Sequence, residues 1–188
     1  MTIKLRLFLF IATALATALV MSLSSYLGNT RTGSAMQENE ISTIALRNHM
    51  EADMMHDALR ADVLSAMLVG LGKNISTKAE VSTSLKEHAE HFRQALGDNL
   101  KLPLDDTLRM SLDKIRPSLE NYIGAGERIV ALALDNPDAA RGELERFNAA
   151  FSLLEDQMQS LSELIENKTQ QTGVQTREAI SNANVILG

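Results

Sequence analysis

At 188 residues, with 45% apolar and 22% charged residues, the chain is long enough for one folded domain and is not composed like a disordered segment. It has no cysteine, which excludes disulfide scaffolds, thiolate zinc sites, iron–sulfur clusters and cysteine nucleophiles together. The net charge of −6 argues against nucleic acid and anionic headgroups as partners.

Aromatic residues make up only 4% and tryptophan is absent, while Ala, Leu, Met, Glu and Gln abound. That balance favours packed helices over sheets and predicts an all-α protein. Residues 1 to 6 form a short lead carrying Lys4 and Arg6. Residues 7 to 27, LFLFIATALATALVMSLSSYL, contain no charge and are long enough to cross a bilayer as a helix of about 20 residues. The positive-inside tendency leaves the lead in the cytoplasm and exports everything after about residue 28. The run is longer than a signal-peptide core and no clean A-x-A cleavage site follows it, so an uncleaved membrane anchor is expected.

GNTRTGS, residues 28 to 34, either breaks the chain or is spanned by one continuing helix. Four helical segments follow, at about 34 to 73, 78 to 97, 104 to 135 and 138 to 185. The first aligns Ile41, Ala45, Asn48, Ala52, Met55, Leu59, Val63 and Ala66 on one face. Gly70 and Gly72 end it, and Thr77 with Glu80 forms a capping-box pattern for the second. The second presents Val81, Leu85, His88, Phe92 and Ala95 inward. The third keeps Leu108, Leu112, Ile115, Leu119, Tyr122, Ile129 and Ala133 in register, with Pro117 expected to kink it. Asn136 and Pro137 supply the cap and first residue of the fourth. This last helix lines up Phe147, Phe151, Leu154, Met158, Leu161 and Ile165 before its stripe turns polar at Lys168, Thr172 and Gln175. Short connections predict an up-down-up-down antiparallel four-helix bundle over residues 28 to 185, preceded by one transmembrane helix. Residues 186 to 188 are expected to begin a second membrane helix, since the chain turns apolar again from Asn184.

Within the first helix, MMHDALRADVLSAML places charge among core residues. Asp62 falls inside one edge of the buried stripe and His49 and His56 at the other, with Arg60 further round. If the first two helices turn near residue 75, residue i lies opposite roughly residue 150 − i, by equal rise along both. His88 then meets Asp62, and His91 meets Leu59 and Arg60. Two readings of this cluster stand. As solvated neighbours, Asp53, Asp57 and Arg60 contribute a few tenths of a kcal/mol. As a polar layer, Arg60, Asp62, His88, His91 and His56 bind a small anionic ligand or a metal ion. No spacing matches a zinc signature, no cofactor is implied, and no phosphate loop or nucleophile elbow points to an enzyme. A second apolar line, Leu46, Met50, Leu64 and Leu68, falls nearly opposite the first and implies a homodimer across a two-fold axis.

In architecture the chain resembles the amino-terminal half of a bacterial methyl-accepting chemotaxis protein. DMMHDALRADVLSAML, residues 53 to 68, resembles the first sensor helix of that family and ERFNAAFSLLEDQMQSLSELI, residues 145 to 165, the fourth. The resemblance implies a chemotaxis receptor whose periplasmic sensor domain binds a small molecule. Signal transduction would pass by helix displacement through a second membrane helix and a HAMP module to a coiled coil controlling a histidine kinase. Members that sense amino acids hold the ligand carboxylate with several arginines near the far end of the first helix; here that helix offers Arg60, with Arg47 lower down. The alternatives are an input domain of a sensor kinase or cyclase, and a membrane-anchored structural bundle without ligand.

Overall fold

The computed structural model describes the backbone of residues 2 to 187 and the side chains of residues 2 to 182; the expected membrane re-entry at 186 to 188 lies outside those described side chains. The described residues are all-α. Four helices follow in order, α1 (Ile3–Gly70), α2 (Lys78–Lys101), α3 (Asp106–Asp135) and α4 (Pro137–Leu187).

GNTRTGS does not break the chain, because α1 runs unbroken through it. α1 ends where its backbone meets α3: a Cβ on Gly70 would lie 1.9 Å from the Ala133 carbonyl oxygen, so only glycine fits. Gly72 then takes a positive φ of 77°, a conformation that glycine adopts without steric cost. The capping box forms: Thr77 Oγ1 accepts from the Glu80 N–H at 3.1 Å, and the Glu80 carboxylate accepts from the Thr77 N–H at 2.8 Å.

α2 is longer than expected. Gly97 does not stop it; Pro103 does, by forcing Leu102 into an extended conformation with φ −72° and ψ 150°. α3 starts at Asp106 rather than about residue 104, and Asp105 caps it by accepting from the Leu108 N–H at 3.0 Å. α3 continues through Pro117, whose ring lies on an exposed face. Asn136 Oδ1 accepts from the Ala139 N–H at 3.2 Å, and Pro137 opens α4 at the position where its missing donor costs least.

Contacts divide the chain into two units, residues 43 to 167 and residues 1 to 42 with 168 to 188. In the first, all four helices share one core that includes Leu59 and Val63 of α1, Leu85 and Phe92 of α2, Ile115 and Ile129 of α3, and Leu154 and Leu161 of α4. The apolar stripes read from the sequence for α3, from Leu108 to Ala133, and for α4, from Phe147 to Ile165, are buried at every position. In α2 the stripe is rotated slightly: Ala89 is buried, and His88 sits at the edge instead of pointing inward. Asn99 Nδ2 donates to the Ala45 carbonyl at 3.1 Å, the Arg93 guanidinium meets Glu120, and Lys78 Nζ donates to the Leu134 carbonyl.

In the second unit the α1 and α4 segments are joined by polar contacts. Lys168 pairs with Glu38 at 2.7 Å, Thr176 Oγ1 donates to the Ala35 carbonyl at 3.0 Å, and Thr32 Oγ1 donates to the Ala179 carbonyl at 3.5 Å. The apolar stretch of α1 meets the length and hydropathy of a membrane span, and none of that window is buried against protein.

Candidate functional site

The heptad spacing of α1 sorts its middle into two seams. Ser42, Ala45, His49, Ala52, His56, Leu59, Val63 and Ala66 are all buried, and their 3-4 spacing keeps them on one face of the helix. Met50, Met54, Leu64, Leu68 and Leu71 follow a second 3-4 register and are 41–61% exposed. The charged cluster lies on and between these seams, and its members occupy separate environments.

Asp62 and His88 do meet: Asp62 Oδ2 and His88 Nδ1 are 2.7 Å apart. Asp62 is only 8% exposed, and burial pushes its carboxyl above the ordinary range although the hydrogen bond from His88 opposes the shift. The His88 side chain is one-third exposed. The two groups satisfy each other, as buried polar groups require, at the margin of the core.

His91 does not join them. It is exposed, because α2 turns Phe92 into the core and its neighbour outward. Arg60 does not join them either: its guanidinium carbon lies 4.4 Å from the Phe151 ring centroid, so it turns to α4 rather than α2. Among the described residues no group of three or more His, Asp or Glu is placed to hold a metal ion. The expected polar layer is therefore one hydrogen-bonded pair facing α2 and one guanidinium over a ring facing α4.

His56 departs furthest from expectation. It lies inside the core at 2% exposure, not at the stripe's edge, stacked on Phe151 with ring centroids 4.1 Å apart and planes at 10°. Tyr122 packs 4.9 Å away and Phe92 at 6.2 Å, and Phe147 stacks on Tyr122 at 5.2 Å. The Tyr122 hydroxyl donates to the His56 carbonyl at 2.8 Å, and its burial pushes the phenol well up. All four helices contribute to this cluster. A signal for it was present: of the five Phe and two Tyr, the four that follow residue 28 are these four.

His56 Nε2 and His49 Nδ1 are buried with no hydrogen-bond partner. Burial lowers both imidazole pKa values below 6.5. Asp57, Glu155, Asp53 and the Phe151 backbone oppose the shift at His56, and Asp53 and Glu166 oppose it at His49. The folded chain thus resists protons that the unfolded chain accepts, so stability is complete above about pH 6.5 and falls as pH drops through that value toward the folded pKa values. Asp62, shifted upward, acts in the opposite sense but in the more acidic carboxylate range. Melting curves at about pH 7.5 and about pH 5 should show the lower midpoint at the acidic value, and His49→Leu with His56→Leu should narrow the gap. A parent midpoint that rises on acidification would contradict the buried neutral state of these histidines.

Elsewhere in this unit, Arg93 grips Glu120 through a forked contact, Nε to Oε1 at 2.9 Å and Nη2 to Oε2 at 2.8 Å. Arg93 holds the Glu120 carboxyl below its usual range. The pair borders an open groove of about 630 Å³ between α2 and α3, beside Gly97 and Pro117, which no spacing or motif singles out.

Of the expected dimer residues, Met50, Leu64 and Leu68 are exposed at 60%, 52% and 41%. Leu46 is not one of them. It is partly buried against the core of its own chain, because it adjoins Ala45 at the inner edge of the helix face.

No family model, curated protein or solved structure matches this chain.

Proposed function

We propose that the chain is the extracytoplasmic input region of a bacterial chemoreceptor of the methyl-accepting type, held in the inner membrane by residues 7 to 27 and working as a homodimer. The observation that carries this reading is the uninterrupted α1, which holds the apolar residues 7 to 27 near its start and continues to Gly70 beside a core built from all four helices. A helix of this kind is suited to carry a small displacement between an exported domain and the membrane.

The exported part is read as an up-down-up-down antiparallel bundle. Support comes from partner numbers that fall as residue numbers rise: Ala45 with Asn99 and Asp62 with His88, then Lys78 with Leu134 and Arg93 with Glu120. Arg60 is the group in the original cluster best suited to a small anion. Its guanidinium carbon lies over Phe151 at an exposed position, where its N–H groups can donate to a carboxylate. Asp62 and His88 occupy each other and serve structure. Dimerisation is assigned to the exposed seam of Met50, Met54, Leu64 and Leu68, whose 3-4 register, continued through Asp57 and Ala61, is that of a two-helix interface.

Fusion of the chain to the output half of a kinase-coupled chemoreceptor tests the reading against a panel of small carboxylates. Ligand-dependent kinase control that disappears in Arg60→Ala supports it. A fusion that reaches the membrane, folds and answers no member of the panel contradicts it.

A further inference from the structure

We infer that a cleft between α1 and α4, at the outer end of the apolar run, binds the headgroup of a phospholipid carrying a phosphate and a primary ammonium. The inference rests on the reading of residues 7 to 27 as a membrane span. The cleft has a volume of about 390 Å³; Ser24, Leu27, Gly28 and Arg31 line it from α1, and Gln175 and Glu178 are among the residues facing them from α4.

Depth singles out the occupant. Leu27 is the last apolar residue of the run, and Arg31, the first charge after it, follows one helical turn later, about 6 Å further along the axis. The polar headgroup layer of a bilayer is roughly 5–8 Å thick on each side of the hydrocarbon, so Arg31 falls within it. A molecule filling this space has acyl chains beside Leu27 and its charged group beside Arg31. A lipid meets both demands, and a soluble metabolite meets only the second.

Charge selects the headgroup. Arg31 and Glu178 line the same cleft, and neither takes part in an ion pair among the described residues. The guanidinium provides N–H donors for a phosphate, with the Gln175 amide as a further donor. Glu178 provides an acceptor for an ammonium. A purely anionic headgroup would set its charge against Glu178, and a quaternary ammonium has no N–H to donate. Gly28 lines the cleft and faces open space, since a Cβ there would meet nothing within 4 Å. A larger side chain would project into that space without altering any charge.

The full chain reconstituted in nanodiscs of equimolar ethanolamine, glycerol and choline phospholipids provides the test, with retained lipid read by native mass spectrometry after gentle detergent extraction. The parent should retain the ethanolamine lipid about tenfold over the other two, a factor in the range of one charge-assisted contact. Arg31→Ala, Glu178→Gln and Gly28→Leu should each abolish that preference while circular dichroism stays helical. Equal retention of the three lipids, or a preference unchanged in all three variants, overturns the inference. Displacement of the lipid by soluble glycerophosphoethanolamine at comparable concentration overturns the lipid as the source of the headgroup. A chain that fails to insert into the nanodiscs refutes the membrane span and this inference with it, whereas an inserted chain without selectivity refutes this inference alone.

Discussion

Replacing Phe151 with alanine is expected to destabilise the region beyond residue 28 by about 3–5 kcal/mol, the usual cost of deleting a buried phenyl ring. Phe151 is 6% exposed, and three distinct partners use its ring: His56 stacks on it at 4.1 Å, Tyr122 meets it edge-on at 5.9 Å and the Arg60 guanidinium lies over it at 4.4 Å. Removing the ring leaves a cavity beside an imidazole whose Nε2 already lacks a partner. It also frees the guanidinium to move, so under the proposed function anion recognition should weaken together with stability. Equilibrium urea unfolding reads the first effect, and Met110→Ala, at a position 65% exposed, serves as a control expected to stay within about 0.5 kcal/mol of the parent. A cost below about 1 kcal/mol for Phe151→Ala would mean that the aromatic cluster does not organise this core.

The double substitution Leu64→Glu, Leu68→Glu is expected to convert the proposed dimer to monomers without loss of helix. Both side chains are exposed, at 52% and 41%, and neither belongs to the core, so the fold of a single chain does not depend on them. Across a two-fold axis each glutamate would face its own copy, adding like-charge repulsion to the lost apolar contact. Sedimentation should report roughly half the parent mass, because a seam carrying like charges at successive core positions no longer closes. A parent that is already monomeric at high concentration removes α1 as the interface.

Much of the fold was legible because it rests on local rules. The capping box at Thr77, the cap at Asn136 and the stripes of α3 and α4 are set by spacing and by individual side-chain chemistry. Opposition of Asp62 and His88 followed from one turn position and equal helical rise. What escaped depended on rotation about helix axes. A rotation of a fraction of a residue puts Ala89 rather than His88 in the core, leaves His91 outside, and carries His49 and His56 from the stripe's edge into its centre. Side-chain reach was equally invisible. Arg60 could extend toward either neighbouring helix, and the face of Phe151 provided the nearer partner. Gly97 misled because glycine lowers helix propensity by about 1 kcal/mol, too little to end a helix that Pro103 would end four residues later.

The central claim, a membrane-held dimer joined along α1, is tested most directly by disulfide trapping. The chain contains no cysteine, so single substitutions report without background. Leu64→Cys and Leu68→Cys on α1 should each give a covalent dimer on mild oxidation of intact membranes, whereas Met110→Cys on α3 and Leu153→Cys on α4, also exposed, should not. Trapping that is equal at all four positions, or confined to Met110 and Leu153, would contradict the account.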